Sequence, residues 1–214
     1  MAKRSDLTYA DLLEVAARRG LRPARARRHR RRRGQPRGRP GNCGARCRAP
    51  TTRTTWRWLL YLGEVAHRRF LAAPLRTDGS LRADLDAKEA LGLRAYDLWR
   101  TALDFREPYW ATASGYMMSQ VFYEFWLATV RAPFPSVVAP EERAAYVVEV
   151  HDRVADRLHK ALEGHKMNVE LGRAYGVKSY WSDESAARVV ELLGVLDAEA
   201  RGNLITPDGA LATN

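Results

Sequence analysis

Along most of this chain, apolar residues recur at spacings of three and four, the period of an amphipathic helix. The longest apolar run is Glu107–Pro133, where Glu124 is the only charge between Pro108 and Val130. Trp110, Ala113, Ser114, Met117, Val121, Phe125 and Ala128 trace one helical stripe. Tyr109, Tyr116, Tyr123 and Val130 recur every seventh residue and trace a second, beside Phe122 and Trp126. A helix that is apolar on more than one face is packed on more than one side. The pattern therefore predicts an inner helix with neighbours on both flanks.

Helical patterns surround it. Residues 6–19 form a short amphipathic helix candidate with Asp6 as N-cap and Leu7, Ala10, Leu13 (or Leu12) and Ala17 on one side; Gly20 ends it. The pattern resumes at Trp58, with Leu59, Leu62, Val65 (or Ala66) and Arg69–Phe70 at helical spacing and Pro74 closing the helix. After an Asp78-Gly79 turn, Leu81–Phe105 is predicted as a helix facing inward through Leu85, Leu91 (or Lys88), Ala95, Leu98 (or Trp99), Ala102 and Phe105. Pro108 falls in the first turn of the inner helix, where a missing N–H costs nothing.

Pro133, Pro135 and Pro140 punctuate the next loop. Pro140-Glu141-Glu142 opens a helix to about Glu163, with Ala145 (or Tyr146), Val148 (or Glu149), Val154 (or Ala155), Leu158 and Leu162 inward. Gly164 reads as an interruption before a shorter helix, Lys166–Tyr175, facing inward through Met167, Val169 (or Glu170), Leu171 and Ala174. Ser182–Ser185 reads as a cap for a last helix to Ala200, with Ala186, Val189 (or Val190), Leu193, Leu196 and Ala200 inward. Residues 201–214 read as a frayed, turn-rich tail. No stretch alternates with period two for long. The fold class is all-α: antiparallel helical hairpins stacked as a short solenoid or bundle over residues 58–200.

Charge changes the picture at the N-terminal end. Residues 1–58 carry 18 Lys/Arg against Asp6, Asp11 and Glu14, whereas the remainder holds 18 basic and 22 acidic residues. The net charge of +11 thus belongs to the N-terminal part. Residues 21–57 have no acid and almost no aliphatic side chain, so they are expected to be disordered. Three readings compete for them. One is a basic arm that touches phosphates through residues such as Arg30, Arg31, Arg32 and Arg33. The second is a solvated linker. The third is a GC-rich gene read in a shifted frame. Cys43 and Cys47 define neither a disulfide framework nor a zinc site, which takes four ligands. No hydrophobic run of signal-peptide length follows Met1, and the inner helix is too polar for a membrane span, so the expected location is cytoplasmic.

Small and aromatic residues on the helix pairs carry traces of a repeat. Tyr61-Leu62-Gly63 sits on the first helix of a pair, and Ala95, Trp99 and Ala102 sit on the second. Pro108 closes the pair, and Trp110, Ala113 and Met117 open another. In order and type these positions resemble the tetratricopeptide repeat, with an insertion around residues 73–90. Residues 58–200 are similar to the C-terminal end of uncharacterised bacterial tetratricopeptide repeat proteins. The resemblance implies a protein-interaction scaffold with no enzymatic step and no cofactor. It assigns Tyr61, Leu62, Gly63, Ala95, Trp99, Ala102, Trp110, Ala113 and Met117 to packing within the stack.

The remaining chemistry is sparse. Glu64-x-x-His67 is a metal-type pair, but a di-iron bundle needs a second such motif, so an ion-paired surface is the expectation. His151 and His159 lie eight apart among Asp152, Arg153, Asp156, Arg157 and Lys160, which reads as a solvated charged face. Ser114, Ser119, Ser182 and Ser185 lack a nucleophile-elbow setting. No phosphate-binding glycine pattern is present.

Overall fold

A computed structural model of the chain describes residues 52–78 and 80–207, together with the backbone of Leu211–Ala212. The helix expected at 6–19, Cys43, Cys47 and Arg30–Arg33 lie outside the described residues. Among the described residues there are five α-helices: α1 Thr52–Ala72, α2 Leu81–Leu103, α3 Pro108–Val130, α4 Arg143–Ala174 and α5 Tyr180–Ala200. A 3-10 turn, Pro140–Glu142, leads into α4. Two-residue strands β1 (Leu204–Ile205) and β2 (Leu211–Ala212) pair antiparallel, so part of the expected frayed tail is a small hairpin.

Each helix packs on the next, α1 also touches α3, and α3 also touches α5. The inner helix is α3, as its two stripes predict. On one flank Val121 joins Ala66, Ala95 and Trp99 of the α1–α2 hairpin, with Met117 and Met118 packed alongside. On the other, Trp126 and Val130 join Val154, Leu158, Ala161, Leu162 and Leu192 of α4 and α5. Glu107 caps α3 by accepting from the Trp110 N–H at 3.1 Å, and Pro108 takes the first helical position.

Several boundaries and faces differ from the sequence reading. Helix α1 begins at Thr52, not Trp58. Trp56 is buried and its ring lies 4.8 Å from that of Trp110, so an aromatic anchor extends the helix into the basic stretch. Helix α2 stops at Leu103, and Arg106 turns the chain with φ 53. Helix α4 runs unbroken through Gly164. A Cβ there would lie 2.4 Å from Ser119 Oγ, so this glycine marks the close approach of α3 and not a break.

Helix α5 starts at Tyr180, capped by Ser179, whose Oγ accepts from the Ser182 N–H at 3.1 Å. Its inward positions are Ser182, Ser185 and Leu192, while Ala186, Leu193 and Ala200 are exposed. On α4, Ala145, Val148, Met167 and Ala174 are exposed, and His151, His165 and Asn168 are buried instead. Polar side chains thus occupy inward positions that a count of apolar residues assigns elsewhere.

Candidate functional site

The residues assigned to stack packing meet between α1, α2 and α3. Gly63 faces Trp99: a Cβ there would fall 2.3 Å from the indole Nε1. That N–H donates to the Leu60 carbonyl at 3.3 Å. Ala95, Ala102 and Ala113 are buried, and Leu62, Trp110 and Met117 are half-buried. Tyr61 does not share this role; it is 59% exposed, because Gly63 and Ala66 turn the opposite side of α1 toward α2.

Among the described residues three histidines are buried, and each meets a different kind of partner. His67 does not pair with Glu64, which is taken by Arg68 at 3.0 Å. Its Nε2 contacts the Glu124 carboxylate of α3, so the lone charge of the inner helix has a polar partner on α1. Gln120 Nε2 also donates to Glu124, at 3.2 Å. Nearby, buried Lys88 of α2 donates from Nζ to the carbonyls of Phe70 at 2.6 Å and Ala73 at 3.2 Å. A lysine from one helix thereby satisfies the orphan C-terminal carbonyls of another. Burial pushes the Lys88 pKa down, and the Glu124 charge acts against that shift.

The second histidine, His151 of α4, is buried and not on a solvated face. Its Nδ1 lies 2.5 Å from Glu199 Oε1 and its Nε2 lies 2.9 Å from the Ile205 carbonyl oxygen. His159, by contrast, is exposed as expected.

The third, His165, belongs to a polar seam between α3, α4 and α5. Asn168 Nδ2 donates to the Thr112 carbonyl at 2.9 Å and to Ser185 Oγ at 2.8 Å. Thr112 Oγ1 and Ser179 Oγ share a hydrogen bond of 2.8 Å. Ser185 Oγ lies 3.3 Å from His165 Nδ1. Ser185 Oγ thus joins Asn168 and His165 in one buried hydrogen-bonded group. Burial, and then the charge of Arg188, push the His165 pKa down to about 4, so the ring is neutral near pH 7. Its Nε2, Asn168 Oδ1 and Ser114 Oγ have no protein partner. The Asn168 oxygen instead presses on Gly115, where a Cβ would fall 2.2 Å away.

Chemically, the seam holds a serine beside a neutral histidine, the pair used in nucleophilic catalysis. Both side chains have zero exposure, so no substrate carbonyl reaches Ser185 in this conformation. The seam fixes the register of three helices. Sequence reasoning missed it because Thr112, Asn168 and Ser185 are far apart in the chain and none is apolar.

Among the described residues no three His, Cys, Asp or Glu side chains gather as metal ligands. No helix among them is long and apolar enough to cross a membrane.

The surface is richer in aromatics. Trp58 (44% exposed), Tyr61, Tyr109 (41%) and Tyr180 (61%) lie on α1, α3 and α5. Elsewhere the Arg188 guanidinium lies 5.1 Å from the Tyr123 ring centre, and Tyr116 packs against Trp181 at 5.5 Å. No protein-family model matches the chain, and neither a curated protein nor a solved structure matches it.

Proposed function

We propose that this chain is a non-enzymatic protein-interaction scaffold, the terminal part of a tetratricopeptide-like helical array. The observation that supports it best is the set of large aromatics left exposed on α1, α3 and α5. These helices touch one another in succession, α1 to α3 and α3 to α5. Tyrosine, tryptophan and arginine are the residues enriched where proteins meet, because they bury large area with little loss of side-chain freedom. Gly63 against Trp99 supplies the close helix approach that the repeat requires.

Cross-linking mass spectrometry on the full chain tests the reading, with Tyr61→Ala/Tyr109→Ala/Tyr180→Ala as the comparison. Partner cross-links are expected on α1, α3 and α5 and should be lost in the triple variant. Cross-links that survive unchanged, or that map only to α2 and α4, would reject it.

A second reading rests on a separate observation, the 18 Lys/Arg against three acids in residues 1–58. Here the Arg-rich segment, including Arg30–Arg33, contacts nucleic-acid phosphates. Such binding weakens steeply with salt. Deleting residues 21–49 leaves α1 and Trp56 whole and should abolish it. Binding that persists after the deletion removes this reading.

A further inference from the structure

We propose that His151 is a proton-operated clasp: as the imidazolium it holds β1 against α4, and losing its proton lets that strand go. The inference begins from hydrogen-bond roles. Nδ1 meets a carboxylate oxygen of Glu199 at 2.5 Å, and Nε2 meets the backbone carbonyl of Ile205 at 2.9 Å. An ionised carboxylate and a carbonyl only accept, so both ring nitrogens must donate. Among the forms of histidine only the cation carries both N–H groups.

The surroundings favour that cation. From α5 the ring is faced by Glu199, and its own helix adds Asp152. From α3 it meets the edge of Trp126, with ring centres 6.1 Å apart, and from β1 an uncharged carbonyl. Both charged neighbours are therefore acidic. Burial alone pulls the His151 pKa down, but the Glu199 carboxylate, the Ile205 carbonyl and Asp152 outweigh it and hold the value above 6.5.

What the clasp holds is a short lever. Gly202 turns the chain with φ 78, and the Asn203 N–H donates to the Ala198 carbonyl at 2.9 Å. Those bonds carry no titrating group. Two residues on, the Ile205 side chain packs on the core that contains Trp126, Leu158 and Leu192, and its carbonyl accepts from His151 Nε2. A neutral ring loses the Ile205 bond as the Nδ1–H tautomer, and as the Nε2–H tautomer it sets a bare Nδ1 against the Glu199 carboxylate. The sign follows. The folded pKa is raised, so docking is strongest below the ordinary histidine value and is lost as pH rises through the raised one. The responsive window lies above the ordinary histidine value of 6.5.

The test uses the full chain labelled with nitrogen-15, followed between about pH 5.5 and 8.5, the range that brackets histidine titration. Ring nitrogen shifts of His151 report its protons, and amide exchange at Leu204–Thr206, corrected for intrinsic pH dependence, reports docking. Both nitrogens are expected to be protonated at the acid end. Strand protection should fall as pH rises across the His151 midpoint. His151→Gln keeps a donor for Ile205 but has no proton to lose, so its protection should not vary with pH. Glu199→Gln should move the midpoint down. The proposal is overturned by a bare ring nitrogen at the acid end, or by protection that ignores the midpoint. It is overturned equally by an unchanged profile in His151→Gln. If that variant does not fold, the wild-type comparison of ring shifts with strand protection decides alone.

Discussion

Replacing Gly63 by alanine tests the packing of the first hairpin at its tightest point. An ideal Cβ would lie 2.3, 2.5 and 2.7 Å from Nε1, Cδ1 and Cε2 of Trp99. These atoms belong to a rigid ring that is 1% exposed, so the indole must move as a body or α1 must lift. Overpacking of this kind costs about 1–3 kcal/mol, and the geometry here points to the upper end. Moving the indole also breaks its hydrogen bond to the Leu60 carbonyl, for about 1 kcal/mol more. Alanine returns roughly 1 kcal/mol through its better helix propensity. The net expectation is a loss of about 2–3 kcal/mol.

With a urea dependence of about 2–3 kcal/mol per molar, the unfolding midpoint should fall by roughly 1 M. The matched control is Gly194→Ala on α5, where an added Cβ meets nothing within 4 Å. It has only the propensity gain and should raise the midpoint slightly. Urea titrations read by far-ultraviolet circular dichroism measure both. A Gly63→Ala midpoint equal to or above wild type would show that the Trp99 contact does not constrain the hairpin.

Other outcomes follow from the buried polar groups. Lys88→Met should destabilise the fold by about 1–3 kcal/mol, because it strips the donor from the Phe70 and Ala73 carbonyls; urea midpoints at pH 7 measure it. Asn168→Ala should cost about 1–3 kcal/mol by removing the buried donor to the Thr112 carbonyl and Ser185 Oγ, measured in the same way. For His165 the folded pKa is depressed to about 4, so the folded state binds fewer protons than the unfolded chain. Its contribution to stability is therefore present at neutral pH and lost as pH falls from 6.5 toward 4. The difference is about 3 kcal/mol at most. Urea midpoints of His165→Gln should depend less on pH than wild type across that range, and equal slopes would refute the assignment.

The sequence made the helices legible wherever one face was apolar. Pro108 and the two stripes of α3 announced an inner helix, and Gly63 with Trp99 announced a close approach. Periodicity failed where inward positions are polar. On α5 the buried face is set by Ser182 and Ser185, so counting leucines pointed to Leu193 although Leu192 is the one enclosed. Gly164 carries the same residue type as a helix stop, and only Ser119 on another helix explains it. His67 gave no local sign of its partner, since Glu124 is 57 residues away. The seam around Asn168 and the His151 contacts join distant segments, which no short window of sequence displays.

Because α3 is a wall of both apolar clusters, the helical stack from Trp56 to Leu192 has no place where it divides into two self-sufficient halves. A fragment ending before Pro108 keeps the α1–α2 hairpin but loses the Val121 side of its core. One beginning after Val130 loses Trp126, the largest side chain enclosed by α4 and α5. The chain between Trp56 and Leu192 is thus a minimum unit of inheritance: recombination can lengthen it at either end, but a crossover inside it leaves two incomplete cores.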